Sequence, residues 1–113
     1  MIEAERVERW LGDLGAALES AARLAERGRD AFDHDEAVRL AFEALSIRVG
    51  EIAKRLVTAD PVRFADPIWS DAAQNRDFVA HHYDVVDAET LWATITTSLP
   101  RLALLISPST RRA

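Results

Sequence analysis

The feature that most restricts the fold is an apolar run in the middle of the chain. Val38, Phe42, Leu45, Val49, Ile52 and Leu56 follow one another at steps of 4-3-4-3-4. Steps of three and four place every member on one stripe of an α-helix, because residues at that spacing lie one above another. Such a stripe is the seam of a helix bundle, in which helices bury apolar faces against each other. Asp33 followed by Glu36 reads as the start of this helix. Asp60-Pro61 reads as its end, since the proline ring disfavours helical backbone in the residue before it.

The same spacing recurs on both sides. Val7, Trp10, Leu11, Leu14, Leu18, Ala21 and Leu24 predict a long first helix over roughly residues 2–27, with Gly28 as its stop. The polar segment Asp30–Asp35 is expected to connect it to the second helix. After Ala59, residues 61–67 form a connector with room for one short turn. Ser70 or Asp71 then caps a third helix carrying Ala72, Ala73, Arg76, Phe78 and Val79. Asp87 caps a fourth, with the stripe Leu91, Ile95, Leu99, Leu102 and Ile106. Pro100 lies inside that stripe and is expected to kink the helix or end it early, and Pro108 with the tail Ser109–Ala113 to fray. Four helices and no convincing strand make an all-α bundle.

Size and charge narrow the role. With 113 residues, 49% of them hydrophobic, the chain is expected to form a single domain over residues 1–113 with one modest core. Burying a further face against a second copy would help so small a core. The absence of cysteine excludes disulfides, thiolate metal ligands and cysteine nucleophiles. The N-terminus has no positive region followed by an apolar stretch, so no signal peptide is expected there. The longest purely apolar run, Leu102–Ile106, is too short to cross a bilayer. A cytoplasmic location without membrane partners is the expectation. A net charge of −5 argues against broad electrostatic coating of nucleic acid, while leaving room for a small positive pocket.

The chemistry concentrates in Arg76-Asp77-Phe78-Val79-Ala80-His81-His82-Tyr83. Cleaving RNA without a metal or other cofactor needs three things. A 2′-hydroxyl must lose a proton, the departing 5′-oxygen must gain one, and charge growing on phosphorus must be stabilised. Histidine, with a reference pKa of about 6.5, exchanges protons near neutral pH. Arginine is always charged and presents a planar fork to phosphate oxygens. Tyrosine hydrogen-bonds phosphate or stacks on a base. On a straight helix, however, residues five apart point about 140° away from each other. For Arg76 and His81 to share a phosphate, either the helix ends near His81 or a second subunit supplies one of them. A two-fold dimer with this helix at its interface meets the second condition.

The pattern Arg-x4-His-x-Tyr, filled by Arg76, His81 and Tyr83, resembles that of HepT-like HEPN ribonuclease toxins. Its flanks extend the resemblance over nearly the whole chain. Gly50-Glu51-Ile52-Ala53-Lys54 looks like the family's "Gly-Glu-x-Ala-Lys" stretch. Pro67-Ile68-Trp69 precedes the motif helix, and Asp87, Leu91-Trp92 and Leu99-Pro100-Arg101-Leu102 come after it in the family's order. The resemblance implies an antiparallel four-helix bundle that forms a homodimer across the motif helices. It also implies a toxin of a type VII-like toxin–antitoxin system acting as a metal-independent endoribonuclease, with Arg76 and His81 as the catalytic pair. The implied partners are RNA and an MntA-type nucleotidyltransferase antitoxin, which transfers AMP from ATP onto Tyr83. Where the family commonly has Asn after the arginine, this chain has Asp77. The added negative charge is expected to weaken RNA affinity or to raise the pKa of His81.

Plainer readings stand beside these. Arg76 and His81 can equally form surface ion pairs around Asp77 and Asp84. His82 reads as an exposed neighbour or a phosphate contact, Lys54 as a solvated position or a lining of the RNA cleft, and Glu51 as a solvated acid or an orienting partner of Arg76. A non-catalytic module that binds a nucleotidyltransferase and is modified by it is the alternative function. A metal hydrolase built on His81, His82 and Asp84 is a weak third, since adjacent helical residues diverge. His34 between Asp33 and Asp35 is better read among helix-capping acids than as a ligand. Trp10, Trp69 and Trp92 are expected as core or interface anchors.

Overall fold

A computed structural model describes residues 3–81 and 88–106, with side chains for residues 3–74 and 88–106. The described backbone is all-α and contains no strand. Helix α1 runs over Glu3–Ala25 and buries Val7, Leu11, Leu14, Leu18 and Ala21, the stripe read from the sequence. Glu3 and Glu5 in its first turn and Arg23 in its last complement the helix dipole. The chain then reverses at Gly28, whose φ of 90° lies in the left-handed region that a side chain disfavours.

Beyond Gly28 the structure departs from the sequence expectation. The polar segment is not a plain connector but a short helix, α2 (Gly28–His34). Its one large apolar residue, Phe32, is fully buried. A single aromatic anchor is too little periodicity to announce a helix among so many acids. The cap of the next helix is Asp35 rather than Asp33: its carboxylate accepts from the Ala37 amide at 3.0 Å. Asp33 instead pairs with Arg29 at 2.8 Å, and the His34 ring nitrogen meets Asp30 at 3.2 Å.

Helix α3 (Glu36–Ala59) is the central element and buries Val38, Phe42, Val49, Ile52 and Leu56 as expected, with Leu45 half-buried. It ends before Asp60-Pro61, where the Asp60 amide still donates to the Leu56 carbonyl at 2.9 Å. Asp60 also accepts from the Arg63 amide at 3.1 Å, closing a turn that sets Phe64 edge-on to Trp69 at 4.8 Å. The motif helix α4 (Pro67–His81) begins earlier than Ser70 or Asp71. Asp66 caps it by accepting from the Ile68 amide at 3.0 Å, and Pro67 needs no partner for an amide hydrogen in the first turn.

The last strut keeps its stripe but not its uniform winding. Helix α5 (Ala88–Ala93) passes into a π-helical turn at Thr94–Ser98 and then into α6 (Leu99–Leu105). Pro100 neither ends the helix nor stands unaccommodated. An α-helix would press its ring against the carbonyl four residues back. Here the Leu99 amide reaches five back, to Thr94, and the widened turn admits the ring. Leu91, Ile95, Leu99, Leu102 and Ile106 are all buried.

Three contacts fix the direction of the struts. Arg63 reaches Glu8 at 3.4 Å, so the end of α3 lies by the start of α1. Arg29 binds Glu89, so α5 starts by α2. Gly15 faces Ile106, so α6 returns along α1. The arrangement is an up-and-down antiparallel bundle of α1, α3, α4 and the α5–α6 strut, with α2 at one end. Trp69 is buried in it, and Trp10 and Trp92 are half-buried against the core. Among the described residues no helix is long and apolar enough to cross a membrane.

Candidate active site

Helix α4 carries Arg76, Asp77 and His81 along one continuous backbone. The side chains of these three, and His82, Tyr83, Asp84 and the predicted cap Asp87 altogether, lie outside the described residues, as do Pro108 and the tail after it. The register of the helix is nevertheless defined. In its first half Ile68 and Trp69 are buried, Ala72 and Ala73 half-buried, and Ser70, Asp71 and Gln74 exposed. At about 100° per residue, residues 76 and 81, five apart on this continuous helix, are separated by about 140° around its axis.

The helix therefore separates the two residues that the motif links. Positions 77 and 81 lie one helical turn apart on the same backbone.

Glu51 and Lys54 line an open groove of about 650 Å³ between α1 and α3, with Glu3, Arg6, Trp10 and Arg55. Ser46 and Val49 line a different cleft, shared with α4, and positions 51 and 54 are rotated about 80–160° from them around α3. The described wall opposite Glu51 and Lys54 is α1, with Arg6 paired to Glu3 at 3.6 Å. Three cations beside a half-buried tryptophan give this groove some phosphate- and base-binding character, offset by two carboxylates.

Two features have little or no sign in the sequence. One is the end of the bundle at α2, where Arg29 bridges Asp33 and Glu89 and stands 5.7 Å from the Phe32 ring centre and 5.8 Å from that of Trp92. Hydrogen bonds that Arg29 donates to Glu89 first, then to Asp33, hold its guanidinium still more firmly protonated than usual. Residues so far apart in the chain give no local sign of pairing. The other is Ser46, buried on the seam helix, one turn after Phe42. A polar residue beside an apolar stripe is its only mark. Among the described residues no three histidines or carboxylates gather as a metal site.

The family model described as "Ribonuclease HepT-like" matches residues 14–108. The chain belongs to the HepT-like ribonuclease family. The match spans the bundle from mid-α1 to the end of α6 and includes the whole motif segment. No curated protein and no solved structure matches the chain.

Proposed function

We propose that this chain is the toxin of a toxin–antitoxin pair, a metal-independent endoribonuclease whose active centre forms between two copies of α4. The observation that carries the reading is that α4 holds residues 76 and 81 on one continuous helix. Residues five apart diverge by about 140°, so a phosphate held by both is best met by Arg76 of one subunit and His81 of the other. His81 takes the 2′-hydroxyl proton or supplies one to the departing 5′-oxygen, and Arg76 stabilises the charged phosphorane. The products are a 2′,3′-cyclic phosphate and a 5′-hydroxyl. The protein works in the cytoplasm, with His82 as a further phosphate contact. Its antitoxin is an MntA-type nucleotidyltransferase that silences it by adding AMP to Tyr83, where new negative charge opposes RNA.

Induced expression of the chain alone should arrest growth, and the purified protein should cut RNA in EDTA. Arg76→Ala and His81→Ala should each abolish both effects with the dimer retained; two variants that remain toxic would defeat the proposal. Mixing the two inactive variants tests the shared centre. Random pairing restores one of two sites in half the dimers, about a quarter of wild-type activity. No recovery would place both residues' chemistry within one subunit.

One observation favours a second reading. Asp77 lies on α4 one helical turn before His81 and sets a negative charge near where RNA phosphate would approach. A non-catalytic module that presents Tyr83 to the nucleotidyltransferase accounts for that acid, and it predicts Tyr83 modification with no growth arrest by the wild type.

A further inference from the structure

Among the described residues, every aromatic ring but one has another ring for a neighbour. Phe32, Phe42 and Trp92 meet one another at 5.2–6.1 Å, and Phe64 meets Trp69 at 4.8 Å. Arginines lie over Phe32, Trp92 and Phe64 as well. Trp10 is the exception, with neither a ring nor a guanidinium against it among the described residues. It is half-buried and lines the open groove between α1 and α3. An indole at the edge of open space, with no partner of its own, is a platform for a flat ring.

The surroundings of Trp10 favour a ring that carries a phosphate. Arg6, one turn before it on α1, and Arg55, across the groove on α3, line the same space. Arg55 is exposed and forms no ion pair among the described residues. Arg6 pairs with Glu3 at 3.6 Å, but both side chains are about half exposed, and a pair so open to water is easily exchanged for a phosphate. Glu51 and Lys54 are engaged in contacts of their own and are not needed for the argument. Thr58 donates its hydroxyl to the Lys54 carbonyl at 2.9 Å, so it has no proton left to read the edge of a base. The groove, about 650 Å³, falls within the range of small-ligand sites, about 300–1,000 Å³.

We infer that this groove holds one nucleotide of single-stranded RNA, its base stacked on Trp10 and its phosphate against Arg6 and Arg55. The inference rests on the ribonuclease reading for the identity of the ligand. It adds a contact outside the motif, one that grips the strand without selecting a base, because every base has a π-face.

The test uses the full chain carrying His81→Ala, so that RNA is held without being cut, and follows a short oligouridylate and a short oligoadenylate by fluorescence anisotropy. Both should bind. Trp10→Leu should weaken both by about five- to a hundredfold, the range of one base stacked on an aromatic ring. Trp10→Phe, which keeps a ring in place, should recover most of the loss. Arg55→Gln, an exposed change, should lower the slope of log affinity against log salt by about 0.7. A blunt RNA duplex keeps its bases stacked inside and should not respond to Trp10→Leu. Single-strand binding indifferent to both Trp10→Leu and Arg55→Gln would overturn the inference, as would equal weakening of the duplex. With His81 intact, Trp10→Leu should raise KM and leave kcat in place, the mark of lost binding rather than lost chemistry. A wild type that holds RNA through Trp10 and does not cut it would defeat the ribonuclease reading and leave this inference standing.

Discussion

Phe42 and Ser46 occupy successive turns of α3, are equally hidden from solvent, and live in opposite conditions. Phe42 lies at the α2 end of the bundle, 5.4 Å from Phe32 and 6.1 Å from Trp92, edge-on to both. Arg29 and Arg39 cover that cluster, Arg39 at 4.9 Å from the Phe32 ring centre. Ser46 borders the cleft and has no partner. Burial alone thus says little about stabilisation. An apolar ring in close contact contributes its transfer energy and its dispersion, whereas a hydroxyl out of water without a partner costs about 1–3 kcal/mol. One end of this helix is built for stability, and the turn beside it is left unsatisfied.

The largest way to break that contrast is to empty the filled end. Phe32→Ala should destabilise the protein by about 3–5 kcal/mol, measured by urea unfolding, because ring contacts are lost and the space cannot close fully. A loss below about 1 kcal/mol would show that α2 is an ornament and not part of the core. The next effect tests the reversal that brings Phe32 in. Gly28 has φ near 90°, and a Cβ there meets nothing within 4 Å. Gly28→Ala therefore carries a purely conformational cost of about 1–2 kcal/mol. Gly12, also without a neighbour within 4 Å but inside α1, should respond oppositely: Gly12→Ala gains about 1 kcal/mol from helix propensity.

What can be read from the chain divides in the same way. The apolar stripes of α1, α3 and the C-terminal strut are legible because each repeats over several turns, and every repeat adds evidence. Helix α2 is not, since Phe32 is a single anchor among acids and its partners Phe42 and Trp92 are distant in sequence. The start of α4 is ambiguous because Asp66-Pro67 and Ser70-Asp71 both satisfy capping rules, and only the buried first turn, with Ile68 and Trp69, decides between them. The π turn has no periodic sign, although Pro100 inside an apolar stripe marks the place. Of the candidate site, the sequence supplies the motif and the divergence of Arg76 from His81, while the continuity of α4 from Pro67 to His81 needs the structure. The groove holding Glu51 and Lys54 needs the third dimension too, because its other wall is α1.

The Ser46 side of the contrast makes a prediction of opposite sign to the others at buried sites. Ser46→Ala removes a hydroxyl that has given up water without replacement, so it should stabilise the protein by about 1 kcal/mol. A shift of the urea midpoint to lower concentration would mean that a bound water meets the hydroxyl. The two turns of α3 would then be alike.

The smallest effect concerns the cover over the filled end. Arg29 and Glu89 join α2 to the first turn of α5, yet both remain partly exposed, at 36% and 72%. Exposed pairs lose most of their attraction to solvent and to the entropy of holding two long side chains. The firmly held proton on Arg29 rules out a pH scan as the way to see it. Its folded pKa is raised above an already very high unfolded value, so its contribution is present throughout the range in which the protein is handled and fades only in strong base. Salt is the useful variable, since screening reaches an exposed pair and leaves ring packing untouched. Glu89→Gln should lower the melting temperature slightly in dilute buffer, and the difference should vanish at about 1 M salt, where the Debye length is near 3 Å. A deficit that persists at high salt would assign Glu89 to the packing of the cluster itself, and the α2 end would owe its stability to a polar cover as well as to its rings.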